Sequence, residues 1–478
     1  MNQAKSKPKK DHYDVVIIGA GMSGMAAAIR LAHFGKDVCL LERHNAVGGL
    51  NSFYSIGGRK YDVGLHALTN YVPPGVKGTP LVKILRQLRI ARDELDLNPQ
   101  RCSRIAFPGV DLKFSNDFTL LESEILREFP DQADGLQTLL RKIREWDDNQ
   151  LDYPDVSARE IVGECLSNPD LVEMLFCPLM FYGNAREHDM EFGQYVILFK
   201  SLFFEGFARP FDGIRVMLRV VRNKLKESGV ERCMKLGVKL IQAEQGRVAA
   251  LELDNGRVIT ADKVISCAGW PETLSLCSDV ETKENPSNVG RLSFVETINI
   301  LQRQPREFGL EDTIVFFNDA ERFEFARPDE LVDVRSGVIC IPNNYDYSEG
   351  RQLEEGIIRF TAQANFEKWN SLNEEDYVDQ KSWWFKALGE SACKFLPIDS
   401  FDVIQQQTMV TDMFTPKTVK KFTGRLAGAV YGSPIKNKPG KTHLENLYIC
   451  GTDQGFLGIV GAMLSGITIA NLYGLRGD

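Results

Sequence analysis

The 478-residue chain reads as an α/β protein in two parts, a discontinuous Rossmann-type nucleotide-binding domain with an inserted α+β domain. Three observations predict it. Near the amino end a β-branched run enters a G-x-G-x-x-G turn and a helix; mid-chain an amphipathic helix leads into a β-meander with an Asn-Gly turn; near the carboxyl end a strand passes through glycines into an apolar helix. These landmarks divide the chain into 11–110, 212–290 and 425–478 for the nucleotide domain, and 111–211 and 291–424 for the second domain.

The first landmark opens with Tyr13 to Ala20, the short β-branched run of a buried parallel strand. Gly19-Ala20-Gly21-Met22-Ser23-Gly24 follows, and Met25 to Phe34 continues with strong helix propensity. Gly19 suits the tight turn, Gly21 the approach of a pyrophosphate and Gly24 close helix–strand packing, with the helix amino end aimed at phosphate. Any strand–turn–helix junction can require small residues. The next strand supplies a more specific sign: Lys36 to Leu41 ends in Glu42, about 20 residues beyond the glycines, where a carboxylate accepts from a ribose.

Arg43 and a second glycine pair, Gly48-Gly49, followed by Leu50 and Asn51, extend this signature. From Asp14 to Ser52 the sequence resembles the opening of the phytoene desaturase, carotenoid isomerase and retinol saturase branch of the FAD-dependent amine oxidase superfamily. The resemblance implies FAD, a GR2-like fold, and a second glycine pair that brings backbone to the cofactor. Leu50 stands where that superfamily often has arginine, which argues against the amine oxidase branch. Asp62-Val-Gly64-Leu-His66 resembles the family's D-x-G-x-H stretch beside the flavin; His66 is otherwise a loop histidine.

The second landmark runs from the helix after Asp212 to Ser228-Gly229, then through strands at Met234–Ile241, 246–253 and 257–260, ending at Ala261 to Pro271. By resemblance Val238 offers backbone to the adenine. The third, Asn446 to Ala470, carries Gly451, Asp453, Gly458, Ile459 and Gly461. Asp453 resembles the family's acidic residue near the ribityl and pyrophosphate, and the helix after Gly458 would stabilise negative charge on the reduced ring. The charge-free stretch Gln454–Gly474 approaches the roughly 20 residues of a membrane span, but its glycines and turn assign it to the cofactor domain.

In the inserted domain, Leu175 to Phe211 concentrates aromatic residues. Phe192, Tyr195, Phe199 and Phe203 recur at helical spacing, which suits plain core packing. Together with Phe181 and Tyr182 they are also candidates for a hydrophobic tunnel or membrane-facing entrance. Thr415-Pro-x-Thr418 followed by Gly428-x-x-Tyr431-Gly432 resembles the carotenoid desaturase, isomerase and retinol saturase pattern. Glu296 and Tyr431 lie in suggestive stretches, and no catalytic acid or base stands out.

The formal charge of −8 excludes a basic nucleic-acid footprint. Ten cysteines lack any Cys-x-x-Cys, so neither a metal site nor a disulfide framework is expected, and a reducing cytoplasm fits. Residues 1–10, with Lys5, Lys7, Lys9 and Lys10 and no apolar core, read as a disordered basic tail; peripheral contact with membrane lipid is a further expectation. The expected function is redox or isomerisation of a long isoprenoid- or carotenoid-like molecule by hydride exchange with flavin N5, the electron acceptor being undefined. Amine oxidation on the same fold is an alternative, as is a non-enzymatic prenyl-protein-binding module of the Rab escort or GDP-dissociation-inhibitor type.

Overall fold

The computed structural model describes residues 7–64, 66–147, 154–280, 288–348 and 350–476. Two seven-stranded sheets organise it. In the first, His12–Ile18 lies at the centre, flanked in parallel by Val38–Glu42 and Val258–Ser266; Glu231–Met234 extends one side and Leu447–Ile449 the other. Val258–Ser266 belongs to two layers at once. Its first residues pair antiparallel with Arg247–Leu253, and the rest join the parallel sheet.

The sequence expectation of one strand over Met234–Ile241 is corrected. The run divides into Glu231–Met234, at the edge of the parallel sheet, and Val238–Glu244, in the meander. Lys235, at φ 57°, is in the left-handed region, which turns the chain between them.

The apolar helix Met22–Ala32 packs against Gly458–Ile469 on one face of this sheet, joining chain segments from opposite ends of the sequence. That second helix spans only 12 residues, and among the described residues no helix is long and apolar enough to cross a membrane. Of the expected basic tail, residues 1–6 lie outside the described residues. Pro8 is buried, its carbonyl accepting from Arg257, and Lys9 N–H donates to Glu231 at 2.7 Å. Residues 8–10 are therefore pinned to the sheet edge.

The second sheet runs in the order Thr408–Phe414, Ser293–Leu301, Gly356–Ala364, Val332–Cys340, Ile314–Asn318, Ser103–Phe107 and Val110–Phe114. Ser103–Phe107, within the 11–110 segment, pairs in parallel with Ile314–Asn318, so chain enters this sheet before residue 110. The two-residue period assigns its faces. Val295, Phe317, Ile339, Phe360 and Ala362 pack under helix Glu374–Cys393. On the other face, Ile105, Phe114, Ile314, Phe316 and Val338 meet the helical layer formed by Phe118–Glu128, Ala133–Glu145, Ala158–Cys165, Pro169–Gly183 and Phe192–Phe199. The remainder of that face turns toward the nucleotide domain.

Candidate cofactor and active site

Three separated chain segments meet at the first turn. Helix Met22–Ala32 starts directly after Gly21 with no side-chain cap, so its amino end is available to an anion. Gly24 is required for contact: a Cβ there would lie 2.2 Å from the Gly19 carbonyl oxygen. Gly21 bridges to Gly48, and a Cβ on Gly49 would sit 3.7 Å from the Gly21 Cα. The two glycine loops thus form a continuous backbone floor. The 3-10 turn Gly49–Asn51 follows, and Gly64 packs beside the Leu50 carbonyl.

The middle segment enters through Cys267, whose N–H donates to Ile18 and whose thiol lies 2.9 Å from the Gly19 carbonyl oxygen. The third enters through Gly451, beside the Ser23 hydroxyl, with its own N–H donating to Ser465 at 2.6 Å. Gly458, Ile459 and Gly461 form the uncapped start of the second helix.

Glu42 is held by two backbone donors, Ala20 and His44, each at 2.7 Å, which orient its carboxylate at the strand end. Arg43 and Val238, far apart in sequence, meet: the guanidinium donates to the Val238 carbonyl at 3.1 Å. This glycine floor, with its oriented carboxylate and uncapped helix ends, has the donors and the clearance for a dinucleotide's pyrophosphate and ribose.

Asp453 is fully buried and holds three strands of the chain together. It accepts from Trp270 N–H at 2.6 Å, from Ser433 N–H at 2.7 Å and from Arg425 at 3.1 Å. Burial raises its pKa, but Arg425 and Lys436 outweigh burial and keep it below the ordinary value. Burial lowers Lys436 to about 8, while its ammonium donates to the Tyr431 carbonyl at 2.8 Å. Arg425 also faces Glu272 at 3.5 Å. Sequence reasoning found Asp453 but not Arg425 and Lys436, which occupy loops, or Glu272, which sits in the five-residue helix Trp270–Leu274, too short to carry a periodic signal.

The second sheet supplies a polar wall. Glu296 stands opposite Thr361, and Ile298 opposite Arg359, so period two puts all four on one face with Phe294 and Gln363. Glu296 forms an ion pair with Arg359, Oε1 to Nε at 2.5 Å, and lies 2.8 Å from His66 Nε2. Burial raises the Glu296 carboxyl, but Arg359 and then His66 reverse the sign and bring it to about 2. A carboxylate only accepts, so His66 carries its hydrogen on Nε2. Arg359 also donates to the Asp62 carbonyl at 3.0 Å, while the Asp62 carboxylate pairs with buried Arg209 at 2.9 Å. The D-x-G-x-H turn is thereby fastened to the sheet. Gln363 is 1% exposed, yet both amide atoms have no hydrogen-bond partner among the described residues. A flavin's pyrimidine edge, with donor and acceptor side by side, suits that amide.

The aromatic candidates separate into two groups. Phe192, Tyr195, Phe199 and Phe203 are buried and contact one another in succession, with centroids 5.0–6.0 Å apart. Phe181, Tyr182 and Tyr431 instead line the sheet: Tyr431 meets Phe294 at 5.7 Å and its hydroxyl donates to the Phe181 carbonyl, while Tyr182 stacks on Phe207 at 5.0 Å. The buried Tyr182 hydroxyl has no partner among the described residues.

The chain is similar to known proteins over nearly its whole length. Prolycopene isomerase of Daucus carota is 22% identical over 506 aligned positions, covering 96% of this chain and 79% of the relative. All-trans-retinol 13,14-reductase of Danio rerio is 22% identical, covering 96% and 85%. Among solved structures, an oxidoreductase from Methanosarcina mazei superimposes with a TM-score of 0.67 at 17% identity, covering 96% of this chain and 99% of that one. A putrescine oxidase redesigned in its cofactor binding gives 0.63 at 16%, covering 97% and 99%. Residues 22–472 match the family described as flavin containing amine oxidoreductase, whose cofactor requirement agrees with the cradle above. The chain therefore belongs to the flavin containing amine oxidoreductases and is an FAD-dependent oxidoreductase.

Proposed function

We propose that this FAD-dependent oxidoreductase acts on a long apolar polyene or polyisoprenoid, by introducing, saturating or isomerising a carbon–carbon double bond. The observation that carries the proposal is the aromatic wall of Phe181, Phe294, Phe325 and Tyr431, which leads through Gly432 and Ser433 directly to Asp453. Apolar substrate would lie on that wall within reach of the cofactor. The similarity to proteins named for prolycopene and all-trans-retinol supports the same substrate class.

FAD supplies a ring that takes or gives a hydride. The remaining work falls to the chain. The glycine floor and helix ends hold the dinucleotide, Asp453 and Arg425 fix the surrounding loops, and the aromatic wall excludes water. His66, oriented by ionised Glu296, is the group placed to move a proton at the sheet wall. Phe422 is exposed beside Lys420 and Lys421, which suits substrate delivery from a lipid surface. With an FAD-dependent oxidoreductase established, the non-enzymatic prenyl-protein-binding alternative falls away.

Anaerobic incubation of purified enzyme with carotenoid and retinoid polyenes, once with oxidised flavin and once after reduction of the flavin by dithionite, read by flavin absorbance and product chromatography, tests the proposal. A changed double bond or isomer, lost in Glu296→Gln and His66→Gln, is expected. Turnover of small primary amines with no reaction of any polyene would establish the amine oxidase alternative instead.

A further inference from the structure

Away from the cofactor, at the outer edge of the nucleotide domain, Cys277, Asp279 and His443 come together. One ligand atom from each lies within 4.8 Å of the other two, the one such cluster of three among the described residues. The His443 Nε2 to Asp279 Oδ1 distance is 3.2 Å. Tetrahedral Zn(II), with bonds of about 2.3 Å to sulfur and 2.0–2.2 Å to nitrogen and oxygen, sets its donors roughly 3.3–3.6 Å apart. The nitrogen and oxygen already stand near that spacing, and the sulfur needs to approach by no more than about 1.5 Å to complete it.

We propose that Cys277, Asp279 and His443 form a binding site for Zn(II). The donor set selects the metal class: a thiolate and an imidazole favour a borderline-soft cation over Mg(II) or Ca(II), which take oxygen ligands. Three protein ligands leave the fourth tetrahedral position to water, consistent with the half-exposed side chains of Asp279 and His443 above a buried Cys277. Binding exchanges the thiol proton for the cation, and the proton leaves to solvent.

Both backbones are fixed before any metal arrives. Cys277 forms a bridge to Ile241, and Ser278 N–H donates to the Ile241 carbonyl at 2.9 Å. The His443 loop is held by Thr442, whose hydroxyl donates to the Leu447 carbonyl at 2.9 Å, and by Leu444 N–H donating to that hydroxyl at 3.1 Å. No sequence pattern shows this, because Cys277-x-Asp279 and His443 lie in segments more than 160 residues apart. The metal would clamp the chain just after helix Trp270–Leu274, whose Trp270 and Glu272 surround Asp453 and Arg425, to the loop before strand Leu447–Ile449.

The test uses the full-length, FAD-loaded protein, stripped with a chelator and titrated with Zn(II) against a chromogenic chelator. One tight equivalent is expected. Each of Cys277→Ser, Asp279→Asn and His443→Gln should weaken it by more than the roughly 10–100-fold that losing an outer-shell partner costs. His443 is exposed, so His443→Gln keeps the test decisive should Cys277→Ser fail to fold. Co(II) loading should give a sulfur-to-metal charge-transfer band that Cys277→Ser abolishes. Absence of a tight equivalent, equal affinity in wild type and His443→Gln, or a Co(II) spectrum unchanged by Cys277→Ser would each overturn the site and leave only an ion pair beside a buried thiol.

Discussion

Replacing Glu296 by glutamine removes one charge from a wall where Arg359 is 4% exposed and depends on a contact of 2.5 Å. The Glu296 carboxyl is held at about 2 instead of its ordinary 4.5. At about 1.4 kcal/mol per pH unit, that gap favours the charged form by about 3 kcal/mol, within the range of about 3–5 kcal/mol for breaking a buried ion pair. With an unfolding entropy of about 2 cal/mol/K per residue, whole-chain unfolding converts this to a fall in Tm of about 3 °C. Because the folded pKa lies below the unfolded one, the contribution is complete above pH 4.5 and fades as pH falls toward 2. Differential scanning calorimetry of wild type and Glu296→Gln from pH 7 downward should therefore show the two Tm values converging in acid. The double variant Glu296→Gln/Arg359→Met, with no charge left unpaired, should return to within about 1 °C of wild type. A single-variant loss under about 1 °C at pH 7, or a gap that persists unchanged to pH 3, would refute a buried ion pair at this wall.

Gly24→Ala places a methyl group 2.2 Å from the Gly19 oxygen, so the purified variant should lose most of its FAD, measured as the ratio of visible to ultraviolet absorbance. Asp453→Asn takes from Arg425 its nearer, fully buried anion and leaves only Glu272 at 3.5 Å, so it should cost about 3 kcal/mol together with FAD content; normal flavin content and Tm would show that Asp453 is dispensable. Lys436, lowered to about 8, favours the neutral amine in the folded state, so between about pH 8 and 10.5 the unfolded chain binds more protons. Wild type should consequently gain stability relative to Lys436→Met as pH rises through that window, and a flat difference in Tm would contradict it.

The nucleotide domain was legible because its chemistry is local: the glycines, Glu42 and the strand–helix rhythm lie within about 30 residues of one another, as a dinucleotide demands. Of the sheet wall, only His66 and Glu296 stood out. Arg359, Thr361 and Gln363 alternate with Ile358, Phe360 and Ala362, a pattern that ordinarily marks one solvent-facing side. Here that polar side is buried against His66 and Asp62, and only pairing across the sheet brings Glu296 to Arg359. The meander strand was misjudged for a different reason. Lys235 adopts a left-handed conformation that neither its chemistry nor hydropathy announces.

The packing of Met22–Ala32 on Gly458–Ile469 sets a timetable for the newborn chain. The two helices are separated by more than 400 residues. At about 5–20 residues per second, the ribosome needs roughly 20–85 s to deliver the second after the first. Through that interval the face of the first helix that Gly458–Ile469 covers stands without its partner, and the edge of His12–Ile18 is bare until Val258–Ser266 emerges. A cell making this enzyme must shield that face for the better part of a minute, and a message truncated before residue 458 would release a chain unable to complete its flavin cradle.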